Sequence, residues 1–170
     1  MKSKRMSTQT IALCGLLTAL ALVLGYVESM IPIVVGVPGI KLGLSNGVLI
    51  FALYALSTPI AWMLMLVKVV LSGLLFGGVS TMMYSLVGGV LSMLVMMLLK
   101  RIKGVSPITV SMAGGVAHNV GQTALAMVIL HTSKLLYYMA ILMLVGLATG
   151  ALTGVCAAAV LKHMKALGKH

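Results

Sequence analysis

Apolar residues run along this chain in long blocks, broken at short polar or Pro/Gly-rich links. A helix that crosses a bilayer needs roughly 20 apolar residues, with a range of about 17–25. The first block extends from about Thr10 to Val27 (10–27). After "ESMIPIVVGVPGIKLG" a second occupies about Leu44 to Leu56 (44–56), and "STP" precedes a third at about Pro59 to Phe76 (59–76). "GGVS" leads to a fourth at about Thr81 to Leu99 (81–99), "KRIKGVSP" to a fifth at about Ile108 to Leu130 (108–130), and "HTSK" to a sixth at about Leu135 to Leu161 (135–161). The second block is short, and "VVGVPGIKLGL" beside it reads as a partly buried re-entrant piece.

Composition turns these blocks into membrane spans. Of 170 residues, 61% are hydrophobic and 8% charged, where a soluble domain has roughly 45–50% apolar and about 25% charged residues. One acid, Glu28, stands against twelve Lys and Arg, for a formal charge of +11. A basic chain can bind nucleic acid, but here the charges sit in short clusters between apolar runs, as membrane topology is written. With the N-terminus inside, nine cations fall in inner segments: Lys2, Lys4, Arg5, Lys100, Arg101, Lys103, Lys162, Lys165 and Lys169. Only Lys41 and Lys134 fall in outer links, and Lys68 lies within a span. That bias predicts an all-α integral membrane protein, one domain over 1–170, with six transmembrane helices and both termini cytoplasmic. The opening "MKSKR" before an apolar run imitates a signal peptide, but no small-residue cleavage pattern follows, so a retained first span is expected. Cys14 and Cys156 fall in apolar segments without metal-site spacing.

Small residues mark where helices approach closely. Gly146, Gly150 and Gly154 repeat every four residues on the sixth helix, a groove expected to pack inside the bundle rather than across a dimer. Thr8, Ala12, Gly15 and Ala19 form a second stripe on the first helix. It is either internal packing or a docking face for a partner membrane protein.

Polar residues inside the spans carry the candidate chemistry. Lys68 sits near the middle of the third helix, where a lysine costs roughly 2.5–3.5 kcal/mol on the insertion scale and is by default a functional candidate. Snorkelling is the bland alternative, as is an ion pair to Glu28. On the fifth helix His118 and Gln122 stand four apart, with Gly114 one turn before and Asn119 at the edge of the same face. Such a face is either interhelical glue, at about 0.6 kcal/mol per bond, or the wall of a polar cavity; the cavity is the preferred reading. Glu28, Lys41 and Asn46 are placed around the same pocket near the outer surface, and Tyr84 and Ser85 are placed to line it.

Other chemistry is disfavoured. His118 and His131 lie about 19.5 Å apart along a helix at 1.5 Å per residue, too far to share a haem iron. The fifteen Met are scattered, and no Walker-type GxxxxGK[ST] loop is present. With one carboxylate and no aspartate, the chain has no acidic pair for Mg²⁺ or acid–base work. It is expected not to be an enzyme and to carry no cofactor or metal.

"YVESMIP", "PGIKLGLSN", "GLLFG", "YSLVGG", "AGGVAHNVGQ" and "LLYYM", in that order, resemble the bacterial membrane-protein family labelled heptaprenyl diphosphate synthase component I, also called the Gx transporter family. That family in turn resembles the substrate-binding S components of energy-coupling factor (ECF) vitamin transporters. The resemblance implies six helices, cytoplasmic ends, a long first outer loop, and a stripe on helix one, here Thr8, Ala12, Gly15 and Ala19, that docks an energising module.

The leading expectation is therefore a non-enzymatic, S-component-like subunit of the bacterial cytoplasmic membrane that captures a small anionic or oxygen-rich molecule. Glu28, Lys41, Asn46, Lys68, Tyr84, His118, Asn119 and Gln122 would line the pocket, with residues 38–46 as its cap. A coupling membrane protein with ATPase subunits would drive it; no nucleic acid is involved. The alternative is a non-catalytic membrane accessory of a prenyl diphosphate synthase in isoprenoid or quinone biosynthesis, because such synthases hold Mg²⁺-diphosphate with aspartates that this chain lacks.

Overall fold

Proline, serine and glycine set where the helices start and stop. In the computed structural model, which describes residues 7–30 and 41–167, the elements are α1 (Thr8–Met30), α2 (Asn46–Ala55), α3 (Thr58–Ser72), a π-helical turn (Gly73–Gly77), α4 (Gly78–Lys100), α5 (Pro107–Ile129) and α6 (Leu135–Leu167). The expected cations Lys2, Lys4, Arg5 and Lys169, and residues 31–40 of the first link with Pro38 of its cap, lie outside the described residues. Ser106 caps α5 by accepting from the Thr109 amide at 3.1 Å, with Pro107 in the first turn, where a missing N–H costs nothing. Gly78, at φ 71°, ends the π-helical turn in a conformation that a side chain would strain.

Three helical runs are long and apolar enough to cross a membrane: Thr8–Met30, Thr58–Lys100 and Leu135–Met164. The second is a hairpin. α3 rises to Gly77 and α4 returns beside it, so that the Trp62 indole reaches the Met97 sulfur at 3.3 Å and Gly89 packs on Met65. α5 is as long as α1, at 23 residues, but its buried Ser111, His118, Asn119, Gln122 and Thr123 lower its hydropathy. α2, at 10 residues, extends about 15 Å, half of a hydrocarbon core about 30 Å thick. Its first residue therefore starts deep in the bundle.

Neighbouring helices alternate in direction, and glycine sets the spacing in the second half of the chain. Gly146 faces Gly115 backbone to backbone, Gly150 rests on Ser111 and Met112, and Gly154 rests on Ile108. Gly121 meets Gly88 across α4 and α5 in the same way. Without a water-driven force between helices in lipid, such close approach is where packing energy comes from. The small residues of α6 thus face α5 of the same chain.

α1 is attached differently. Its inward face is Cys14, Leu17, Ala21, Gly25 and Glu28, packed on α2, α3 and the π-helical turn, and it makes no contact with α6 among the described residues. Thr8, Ala12, Gly15 and Ala19 are all exposed, and nothing lies within 4 Å of where a Gly15 side chain would begin. The stripe is on the opposite side of α1 from the bundle. Large apolar side chains also cover the outer faces of the other helices, among them Leu74, Leu86, Leu144 and Leu152, a surface matched to hydrocarbon rather than water.

Candidate functional site

The buried polar residues converge on residues 41–45, a non-helical stretch leading into α2, and on Asn46 at the helix start. Backbone without regular hydrogen bonds at this depth must find partners in the protein, and four helices supply them. From α5, Gln122 pairs both ways with Lys41: the Lys41 amide donates to Oε1 at 3.1 Å and Nε2 donates to the Lys41 carbonyl at 2.9 Å. From α6, the Thr149 hydroxyl donates to the Leu42 carbonyl at 3.2 Å. From α1, Glu28 Oε1 accepts from the Gly43 amide and from the Leu44 amide, the latter at 3.2 Å. From α3, the Lys68 ammonium donates to Ser45 Oγ at 2.7 Å and Asn46 Oδ1 at 2.9 Å.

Beneath this stretch lies a small cavity lined by Ala21, Gly25, Glu28, Lys41, Ser45, Lys68, Ser72, Ser85 and His118. Its volume of about 10 Å³ is room for roughly one water molecule. Three of its buried polar atoms have no protein partner: Glu28 Oε2, Ser85 Oγ and His118 Nδ1. Glu28 Oε2 can only accept and Ser85 Oγ can do either, so an occupant of the cavity would donate to the carboxylate; His118 Nδ1 lies instead beside the Gly88 backbone of α4. The walls carry two ammonium groups and one carboxylate, an excess of positive charge that favours an anionic or oxygen-rich occupant. The Lys41 ammonium also lies 5.2 Å from the centre of the Phe76 ring, a cation–π distance. Burial pushes it below the usual lysine range, against the pull of the Glu28 carboxylate.

The eight residues expected at one pocket divide into three groups. Glu28, Lys41, Lys68 and His118 line the cavity. Asn46 and Gln122 hold residues 41–46 in place. Asn119 and Tyr84 go elsewhere: the Asn119 amide donates to the Leu142 carbonyl of α6 at 2.6 Å, and Tyr84 packs with Ala126, Leu135 and Leu142 in a separate apolar cluster. The face of α5 is both cavity wall and glue, because a helical turn sends His118 toward α4 and Asn119 toward α6.

Sequence reasoning missed Ser45, Ser72, Ala21 and Gly25. Ser72 stands one turn after Lys68, and Gly25 and Ala21 stand three and seven residues before Glu28, so helical spacing from the two charges points to them. Ser45 had no such periodic signal. Ser85, expected beside Tyr84, lines the cavity while Tyr84 does not.

Comparison with known proteins gives one result. The family model described as heptaprenyl diphosphate synthase component I matches residues 17–160, and the chain belongs to that family. No curated protein and no solved structure matches it.

Proposed function

We propose, for a member of this family, a non-catalytic membrane subunit of a prenyl diphosphate synthase, crossing the bacterial cytoplasmic membrane six times with both termini inside. The observation that carries this reading is the family match from residue 17 to residue 160, in a chain whose sole acid, Glu28, is bound to backbone amides. A Mg²⁺-diphosphate site needs several oxygen ligands, so catalysis falls to a partner chain. The concentration of Lys and Arg in the links assigned to the cytoplasmic side supports the orientation. To test it, the tagged chain is purified from its native membranes and its partners identified by peptide mass spectrometry. A co-purifying prenyl synthase, with altered prenyl chain length on deletion, is the expected result. An unchanged product distribution and no synthase would sink the reading.

A second reading rests on a different observation, the buried cavity whose lining residues Glu28 and Ser85 keep unpartnered polar atoms. In it the chain is an S-component-like subunit that binds a small anionic or oxygen-rich solute beneath residues 41–46 once these shift outward, since the closed cavity has room for about one water molecule, and the exposed stripe Thr8, Ala12, Gly15 and Ala19 meets a coupling protein driven by ATPase subunits. The same purification separates the two. An ATPase pair with a coupling membrane protein favours the solute reading.

A further inference from the structure

The hydrogen bonding of α2 begins before its first full turn. The Gly43, Leu44 and Ser45 carbonyls accept from the amides three residues on, at 2.9, 3.1 and 3.3 Å. The Gly43 and Leu44 amides therefore stand at the head of the helix with no partner inside it, at the end where the helix dipole favours negative charge. Both donate to one oxygen of the Glu28 carboxylate. Consecutive amides on one anionic oxygen are how a backbone holds a bound anion, and here the anion is a side chain of α1.

A cap that served the fold alone would leave little unsatisfied. Glu28 is 2% exposed, yet its Oε2 accepts from nothing. The same cavity holds unused donors. Ser85, 3% exposed, has a hydroxyl without a partner. Lys68 commits two N–H groups to Ser45 and Asn46 and, as an ammonium, has a third. Lys41 adds a second positive charge to the walls. Tethered to α1, the Glu28 carboxylate reaches the amides with one oxygen and neither of these donors with the other. An untethered carboxylate can do both, with one oxygen on the Gly43 and Leu44 amides and the second between Lys68 and Ser85. Glu28 also lies next to the exposed Ser29 in the last turn of α1, so a displaced side chain has a short way out of the protein.

We infer that the head of α2, with Lys68 and Ser85, is a carboxylate-binding site that Glu28 fills at rest and that the carboxylate of a solute takes by displacing it. The chemical class is that of the group already seated there, and the displacement rests on the solute-binding reading.

The test is chemical rescue. Glu28→Ala removes the equivalent of an acetate ion and leaves the other groups of the site in place. The full chain in detergent is melted with sodium acetate, against sodium chloride and sodium phosphate at equal ionic strength. Acetate at roughly tenfold its Kd is expected to raise the melting temperature of Glu28→Ala by about 3–6 °C. Wild type and Glu28→Gln, whose own side chains occupy the place, are expected to show no rise beyond that in chloride. Lys68→Met added to Glu28→Ala should weaken acetate binding by about tenfold or more, as loss of a charged hydrogen-bond donor does. If Glu28→Ala is unfolded without acetate, the folded yield after solubilisation with and without it reads the same effect. No effect of acetate, or an equal effect of chloride or phosphate, overturns the inference. Native mass spectrometry of wild type for a retained solute keeps the two ideas apart. Acetate rescue with no retained solute keeps the site and removes the solute reading. A retained solute without acetate rescue removes the site alone, and a retained solute that lacks a carboxylate overturns the displacement.

Discussion

The Gln122 carboxamide and the Lys41 peptide group form a two-way hydrogen-bonded pair between positions 81 residues apart. The pair lets an irregular stretch lie at depth with its amide and carbonyl both satisfied, as a strand neighbour would satisfy them. Gln122→Leu fills similar space and leaves both groups unpaired. Each buried group left without a partner costs about 1–3 kcal/mol, and in a chain of this size 1 kcal/mol moves the melting temperature by about 2–4 °C. A fall of several degrees in detergent, with earlier proteolysis near residue 41, is expected. An unchanged melting curve would mean that the stretch is held by its other contacts.

Glu28 separates charge from hydrogen bonding. Glu28→Gln keeps an acceptor for the Gly43 and Leu44 amides, whereas Glu28→Ala keeps none. The alanine variant should melt well below the glutamine variant, by roughly the cost of two unsatisfied donors at about 1–3 kcal/mol each. Thermal unfolding of both, side by side, checks this. Equal destabilisation would show that the negative charge itself, facing Lys41 and Lys68, is what matters.

Lys68 distinguishes the two proposed functions. Lys68→Met removes the donor to Ser45 and Asn46 but also removes an ammonium from the interior, and these effects oppose each other. The net change in stability is expected to be small, within about 1 kcal/mol. Solute retention by native mass spectrometry should then vanish if the cavity is a binding site, while synthase co-purification should persist if the chain is an accessory subunit.

Glycines should tolerate substitution according to their neighbours. A methyl group on Gly115 would strike the Gly146 carbonyl, so Gly115→Ala forces the two backbones apart, at the cost of about 1–3 kcal/mol typical of overpacking. Gly15 has open space around it, and Gly15→Leu should leave melting unchanged or raise it by the better helix propensity, up to about 1 kcal/mol. If Gly15→Leu also releases a membrane partner, the exposed stripe is that partner's seat.

The helices were legible because their ends are punctuated. Pro107 after Ser106, Gly77–Gly78 and "STP" at residues 57–59 fall where the chain turns, and only α6 runs appreciably past its expected end, to Leu167. The polar network was legible in its members more than in its pairings. Lys68 stood out because a charge in an apolar run is expensive anywhere. That Gln122 would face the Lys41 backbone depends on where the first link re-enters the bundle, which no helical periodicity encodes. Tyr84 and Ser85 show the same limit: they are adjacent in sequence and face different clusters, and only the crossing of α4 over its neighbours decides which faces the cavity.

The anchoring of residues 41–46 to α1, α3, α5 and α6 also dictates an order of events during biogenesis. The stretch is made after α1 and before every other helix, yet the last of its ties, from Thr149 to the Leu42 carbonyl, exists only once α6 has been synthesised. Until then its peptide groups need water or a chaperoning surface. Residues 41–46 therefore act as the keystone of assembly, the piece that settles last and whose seating reports that the other helices have arrived.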